Sequence, residues 1–504
     1  MATAAACREC RQYQVRSSCC GGGLPRRSRR LRHRPDGADL ISALPDDMLL
    51  EVLTRLGCAR AATHTSLLSR RWRGLWTRLP RLTFHYITPD SLDAAIAMAT
   101  CPELSLLDIH VVDHHKFAAA RVSSLLQAAA RLAPAKLSVL ICGDVPPRGG
   151  TWNAIELPCF RRTTTVSLDM SNIRFTLPIA GDFPVLESLT ISSCQIDLVD
   201  LLPRCPSLRK LKLYGSGELH SVTVHAPLLE ELGMCTYGLL KRIDIMTPLL
   251  KKLDLRGFGG LDKEFSLSYS APVVEELLWF CSSTNATFGR FWRLGLMELK
   301  TQNPHELKGL GNGKENTCLQ LQHSPRVNVL LLYIGHRNNW INTVRSIKQE
   351  ISQFVVASFS NLELKITRPG HVYGAMVLHV LEVSTFIQRL KVELCEVNNE
   401  EACSINCPCD QPNNWRSQSI SLSYLKEVEI HGFRGQNHEV DLLKVIFRSA
   451  TMLERMALRL SNNVSPSCNG CMEVCTISKA YPSVKCNIYH CSGEQVSVCV
   501  IAAR

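Results

Sequence analysis

The sequence predicts an α/β solenoid of leucine-rich repeats with a small all-α module ahead of it. Three observations predict this: a motif recurring every twenty-odd residues through the middle of the chain, a helical apolar stripe confined to residues 40–84, and a globular composition. Of the 504 residues, 45% are hydrophobic and 20% charged, which excludes a disordered chain. No apolar run approaches the roughly 18 residues that a membrane-spanning helix requires. The longest candidate, Val329 to Ile334, has the length of a strand. The chain is long enough for two or three ordinary domains.

The repeat is Pro-x-Leu-x-x-Leu-x-Leu. It occurs at Pro184, Leu186, Leu189, Ile191; Pro206, Leu208, Leu211, Leu213; Pro227, Leu229, Leu232, Met234; Pro248, Leu250, Leu253, Leu255; and Pro272, Val274, Leu277, Trp279. Its prolines are 22, 21, 21 and 24 residues apart. A fixed period in the twenties is what a leucine-rich solenoid requires. Each Leu-x-x-Leu-x-Leu segment predicts a short strand with alternate side chains turned into the stack, and the Pro and polar stretch that follow predict its return path. One such unit cannot bury its apolar side alone, so neighbours must stack. Weaker copies precede the array (Pro102, Leu104, Leu107, Ile109) and follow it (Pro325, Val327, Leu330, Leu332; Ile387, Leu390, Val392; Leu425, Val428, Ile430; Leu453, Met456, Leu458). After residue 281 the spacing turns ragged. Residues 308–317 and 400–418 read as loops by composition, and Leu442, Leu443, Ile446, Phe447 and Ala450 predict a helix between the last two strands.

Ahead of the repeats, Met48, Leu49, Val52, Leu53 and Leu56 form a helical stripe behind Leu44. Pro45 suits the first turn, Asp46 and Asp47 complement the positive end of the helix dipole, and Gly57 ends the helix. A second helix is predicted from Ser66, with Leu68, Trp72, Leu75, Trp76 and Leu79 on one side, stopped by Pro80. A module of this size has too small a core for comfort, and its apolar sides invite a partner.

The formal charge of +12 resembles a nucleic-acid signature until it is mapped. Residues 1–39 carry nine Arg against three acids, and residues 40–84 carry seven Arg against three, leaving +2 for the rest. The basic character therefore belongs to the N-terminal sixth. Residues 1–39, with the block Arg26 to Arg34, predict a solvated basic leader. It is open to three readings: a nuclear import signal, a transit peptide, or no address at all. A DNA-reading helix-turn-helix is disfavoured for residues 40–84, because Leu67 and Leu68 stand where base-reading polar side chains are needed.

The 23 Cys do not form a short secreted framework. Cys142, Cys194, Cys235 and Cys281 stand singly among apolar residues as small hydrophobes, which predicts a reducing, intracellular setting. Cys403, Cys407 and Cys409, and Cys468, Cys471 and Cys475 with Cys486, His490 and Cys491, have ligand-type chemistry. The interleaved Cys-x2-Cys pairs of a RING are missing, and these thiols read as unligated, with no metal and no cofactor. No nucleophile elbow, phosphate loop, dinucleotide fingerprint or His-Glu-x-x-His occurs, so no catalytic residue is expected.

Residues Leu44 to Leu56, then Thr65 to Trp72, Leu75 and Trp76, resemble an F-box, and the continuation through Leu79 to Phe84 resembles its plant form. Downstream, Cys407 to Asp410, Trp415, the strand Leu425 to Gly432 and the segment Glu439 to Leu458 resemble the FBD domain. The resemblance implies an order of leader 1–39, F-box 40–84, leucine-rich solenoid 85–399, FBD region 400–475 and C-terminal tail 476–504. One departure is Ala61 to His64, where branched apolar and Arg residues are more usual.

The resemblance further implies a non-catalytic substrate receptor of an SCF-type cullin–RING ubiquitin ligase, working in the nucleus and/or the cytoplasm. Its F-box would hold a Skp-type adaptor, and through it the cullin–RING core, by Leu44, Pro45, Met48, Leu49, Val52, Leu53, Leu56, Leu68, Trp72, Leu75 and Trp76. A protein target, unidentified by sequence, would dock on the strand residues between the inward leucines: Ser188, Thr190, Lys210, Lys212, Glu231, Lys252, Asp254 and Glu276. That stripe reads as mixed in charge and without an aromatic or Arg cluster. Neither nucleic acid nor membrane is an expected partner. The alternative is a leucine-rich interaction scaffold without ligase coupling.

Overall fold

The computed structural model describes residue 41 and residues 44–496, apart from 86, 112–117, 142–152, 172, 180, 216–219, 283–285, 303–326, 336–344, 368–369, 384–385, 396–402, 404–406 and 463. The basic leader, Cys142, the whole of the 308–317 loop, Pro325, residues 400–402 and 404–406 of the 400–418 loop and residues 497–504 of the tail lie outside the described residues. The chain divides into two compact units between Leu186 and Glu187.

The first unit begins with the helix Asp46–Arg55, a second helix Ala59–His64, and 3-10 turns at Thr65–Leu67, Arg70–Trp72 and Leu75–Arg78. The continuous helix expected from Ser66 is thus broken into three turns. The cause is local: Ser69 and Arg73 are extended, and Gly74 takes φ +82°, a left-handed conformation that glycine adopts without strain. The expected first helix ends on schedule, with Gly57 at φ +64°. The strand Arg81–His85 then pairs in parallel with Leu106–Val111, which pairs with Lys136–Ile141, which pairs with Thr165–Met170. Helices Pro89–Met98 and Ala119–Leu132 form the returns, burying Leu92 and Ile96, and Val122, Leu125, Leu126 and Ala129. Arg121 joins the two helices through Asp93 at 2.7 Å and through Asp90.

In the second unit, every regular repeat yields its strand: Ser188–Ser192, Lys210–Tyr214, Glu231–Thr236, Lys252–Gly257 and Glu276–Ser282, all parallel neighbours. The side chains the motif turns inward, Leu189 and Ile191 through Leu277 and Trp279, are buried. The returns differ from the usual α/β pattern. In the middle repeats they are strands, Ser221–His225, Leu240–Met246 and Leu261–Ser270, forming a second parallel sheet. Val222, Val224, Ile243 and Ile245 are buried at alternate positions, the period of a strand. The return between Ser188–Ser192 and Lys210–Tyr214 instead holds the short helix Leu198–Leu201.

Beyond Ser282 one antiparallel strand, Trp292–Gln302, stands between Glu276–Ser282 and Val327–Gly335, which accounts for the ragged spacing. Parallel pairing then resumes through Asn361–Ile366, Arg389–Leu394, Glu427–Phe433, Arg455–Leu460 and Lys485–Tyr489. Partners now stand 28 to 38 residues apart, as in Asn361 to Arg389 and Arg389 to Glu427. Helices Ile347–Phe354, Gly374–Leu381, Asn437–Ser449 and Asn469–Ala480 fit in that longer spacing. Residues 476–504 are not wholly a tail: the last of these helices ends at Ala480, and Lys485–Tyr489 extends the sheet, with Val484 and Ile488 buried.

Candidate functional site

The N-terminal module presents two rows on one helix. Leu49 and Leu53 are buried and face the turn Leu75–Arg78, where Leu75 and Trp76 are buried too. Trp72 joins the same interior. Arg71 ties the module shut: its Nε and Nη2 donate to Asp46 Oδ1 at 3.0 and 2.9 Å, and Nη2 also reaches the Leu44 carbonyl. The neighbouring row, Met48, Val52 and Leu56, is exposed. Leu67 and Leu68, in the turn that replaced the expected helix, are exposed at 84% and 70%.

The residues named from the sequence divide into two groups by burial. Leu49, Leu53, Trp72, Leu75 and Trp76 form the module's own core, Leu44 is half-buried, and Pro45, Met48, Val52, Leu56 and Leu68 are exposed. Leu67 was missed. Its signal was an apolar pair, Leu67 and Leu68, at a site where a continuous helix would have turned only one of them outward.

The strand residues between the inward leucines line up as predicted, but their charges answer one another. Ser188, Lys210, Glu231, Lys252 and Glu276 occupy one rung across five strands. Lys210 Nζ lies 2.6 Å from Glu231 Oε1, and Lys252 Nζ 2.9 Å from Glu276 Oε2. The Lys252 ammonium is held above its usual range by that Glu276 bond. In the next rung outward-facing Thr190, Lys212, Asp254 and Leu278 align with buried Gly233, and Arg256 returns to Asp254 at 2.8 Å.

At the C-terminal end of these strands stands an aromatic cluster absent from the expectation. Tyr237 stacks on Phe258 with ring centres 5.4 Å apart, and Phe258 meets Phe280 at 5.0 Å. Tyr214, Cys235, Arg256 and Phe280 share the rung beside it. Tyr237 and Phe258 are exposed. Tyr237 and Phe258 follow adjacent strands two residues beyond the rung that holds Tyr214 and Phe280, so the four gather from two different positions of the repeat.

The cysteines also regroup. Cys403, Cys407 and Cys409 are joined by His371, 32 residues upstream of the first of them, and one ligand-type atom from each lies within 4.8 Å of all the others. Among the described residues this is the one such group. Cys468, Cys471 and Cys475 instead belong to the helix Asn469–Ala480: Cys468 caps it, its sulfur accepting from the Cys471 N–H at 3.4 Å.

Next to that group, Trp415 donates Nε1–H to Asp410 at 2.9 Å, and Arg416 bridges Asp410 and Asp441, each at 2.9 Å. Glu439 is fully buried, accepting from the Arg434 and Gln436 N–H groups at 2.9 and 3.0 Å and from the Tyr373 hydroxyl at 3.4 Å. Burial outweighs those bonds and pushes its carboxyl up to about 7. On the strand face Glu429 goes the other way: despite burial, His431 and Arg389 hold it down to about 2.

Three family models match this chain: the F-box domain over residues 41–84, the LRR repeats of FBD-associated F-box protein At5g56370 over 140–263, and FBD over 421–458. The chain carries an F-box, leucine-rich repeats and an FBD. The exposed row Met48, Val52 and Leu56 lies in the F-box, and four of the five regular motif copies begin inside the repeat match. None of the three describes an enzymatic domain. Among relatives, the putative FBD-associated F-box protein At5g56390 of Arabidopsis thaliana is 26% identical over 38% of this chain and 55% of its own length. F-box/FBD/LRR-repeat protein At5g56420, from the same plant, is 31% identical over 39% of this chain and 49% of its own. The chain thus spans about half the length of these curated relatives. No helix is long and apolar enough to cross a membrane among the described residues.

Proposed function

We propose that this chain is the substrate-recognition subunit of an SCF-type cullin–RING ubiquitin ligase. Its F-box holds a Skp-type adaptor, and its repeats, stacked as a leucine-rich solenoid, hold the target protein. The observation that carries the reading is the F-box surface: Met48, Val52, Leu56, Leu67 and Leu68 all stand exposed on a module of about forty residues. Exposed apolar side chains in that number mark a surface completed by a partner. Leu anchors of this kind are ordinary material for an interface core.

The receptor supplies no reacting group. It raises the effective concentration of a target lysine beside an activated thioester carried by another subunit. For the target, the aromatic cluster Tyr214, Tyr237, Phe258 and Phe280 with Arg256 is the favoured anchor, because aromatic and Arg side chains dominate binding hot spots. The paired charges of Lys210, Glu231, Lys252 and Glu276 stand at the other, N-terminal end of the same strands.

The test is co-purification of adaptor and cullin with the tagged full chain from plant cells. Val52→Asp with Leu68→Asp is expected to abolish both. Undiminished capture by this variant would sink the ligase reading and leave a leucine-rich scaffold.

A further inference from the structure

We propose that His371, Cys403, Cys407 and Cys409 bind one zinc ion in a closed tetrahedral site that clips Cys403 and the turn Pro408–Asp410 to the start of the helix Gly374–Leu381. None of the three matched families covers these residues, since the FBD match begins at residue 421.

The geometry is that of a ligand shell. His371 Nδ1 lies 3.4 Å from Cys407 Sγ, Cys403 Sγ lies 3.5 Å from Cys409 Sγ, and all four atoms fall within 4.8 Å of one another. A tetrahedral ion with Zn–S of about 2.3 Å and Zn–N of about 2.0–2.1 Å sets S···S edges of about 3.8 Å and S···N edges of about 3.6 Å. The Cys403–Cys409 and His371–Cys407 edges are within a few tenths of an ångström of those values, and the 4.8 Å bound on the others leaves them about 1 Å to close around the ion.

The donor set selects the metal. Three sulfurs and one imidazole, with no carboxylate among them, suit zinc and exclude magnesium and calcium, which take oxygen ligands. Four protein ligands leave no open position for water or substrate, so the site is structural.

The surroundings are those of a held site. The Val372 N–H points at Cys409 Sγ from 3.4 Å, the kind of donor that steadies a coordinated thiolate. The Phe291 ring packs against the imidazole of His371, their centres 4.4 Å apart. His371 and Cys409 are both buried. Cys407 and Cys409 sit on a 3-10 turn, Pro408–Asp410, closed by backbone bonds of 3.4 Å, and the ion would brace it. On binding, three S–H protons leave to solvent, three Zn–S bonds and one Zn–N bond form, and no oxidant or reductant is consumed.

The full chain, expressed in zinc-supplemented medium and purified under reducing conditions, is assayed for metal by mass spectrometry. About one zinc per chain is expected, falling to background in His371→Ala and in Cys409→Ser. The double variant Cys471→Ser with Cys475→Ser should keep the ion. Should the first two variants fail to fold, His371→Cys decides: it preserves four ligands and should retain zinc. Cobalt exchanged into the wild type should show tetrahedral d–d bands with thiolate charge transfer, the latter stronger in His371→Cys. A metal-free wild type, zinc unmoved by the His371 and Cys409 changes, an octahedral cobalt spectrum, or stoichiometric iron in place of zinc would each overturn the site.

Discussion

The indole of Trp415 lies directly against the α-carbon of Gly374: a Cβ added there would meet the Trp415 ring carbons at 2.3, 2.5 and 2.7 Å. Trp415 is fully buried and anchored through Asp410, so the ring has little freedom to retreat. Gly374→Ala is therefore expected to destabilise the protein by about 1–3 kcal/mol, overpacking outweighing the helix propensity gained. A thermal melt checks this, and an unchanged or raised midpoint would show that the indole yields.

The two rows of the F-box helix should separate cleanly on substitution. Leu53→Ala empties a core site and is expected to cost about 2–5 kcal/mol of stability. Val52→Asp, one residue away but exposed, is expected to stay within about 0.5 kcal/mol in a melt while weakening adaptor binding by at least tenfold, about 1.4 kcal/mol. Calorimetric titration with a Skp-type adaptor reads the second effect. Equal stability losses in the two variants would mean that the rows are not distinct.

Glu439 predicts a pH dependence. Its folded-state pKa of about 7 lies above the ordinary glutamate value of 4.5, so the folded protein binds this proton more tightly than the unfolded chain. The stabilisation is fully present below the unfolded value and is lost as pH rises from there through about 7. It amounts to roughly 3 kcal/mol at 1.36 kcal/mol per unit. The difference in unfolding free energy between wild type and Glu439→Gln, measured at pH 5 and pH 8, should shift by an amount of that order. A constant difference would refute it.

On the repeat face, charge and aromatic character should carry different weight. Lys210 and Glu231 are half exposed, and such a pair contributes about 0–1 kcal/mol. Reversing Lys210, Lys212 and Lys252 together sets like charges beside Glu231 and Glu276 and is expected to lower the melt modestly while retaining most target capture. Tyr237→Ser with Phe258→Ser is expected to abolish capture, read by quantitative proximity labelling under proteasome inhibition. The opposite ranking would move the target site from the aromatic cluster to the charged rungs.

Much of this was legible in the residues because it is local. The period of Pro, Leu and Leu fixed the strands Ser188–Ser192 to Glu276–Ser282, and their burial follows from the alternation of a strand. The spacing of Leu442 to Phe447 marked the helix Asn437–Ser449 in the same way. The strands Lys136–Ile141, Thr165–Met170, Asn361–Ile366 and Lys485–Tyr489 fall outside the motif copies read from the sequence, and only the pairing of their backbones places them in the sheet.

The sequence by itself determined the repeat, the inward leucines, the helix Asp46–Arg55 and the likeness to an F-box, because each depends on neighbours a few residues apart. Only the tertiary structure decided which F-box side chains are core and which are surface, since Gly74 breaks a helix that periodicity alone would continue. Only it made strands of the central returns, joined Tyr237 to Phe258, and carried His371 to three cysteines more than thirty residues away. Those are long-range contacts, and they are set by how the strands stack, which no local pattern encodes.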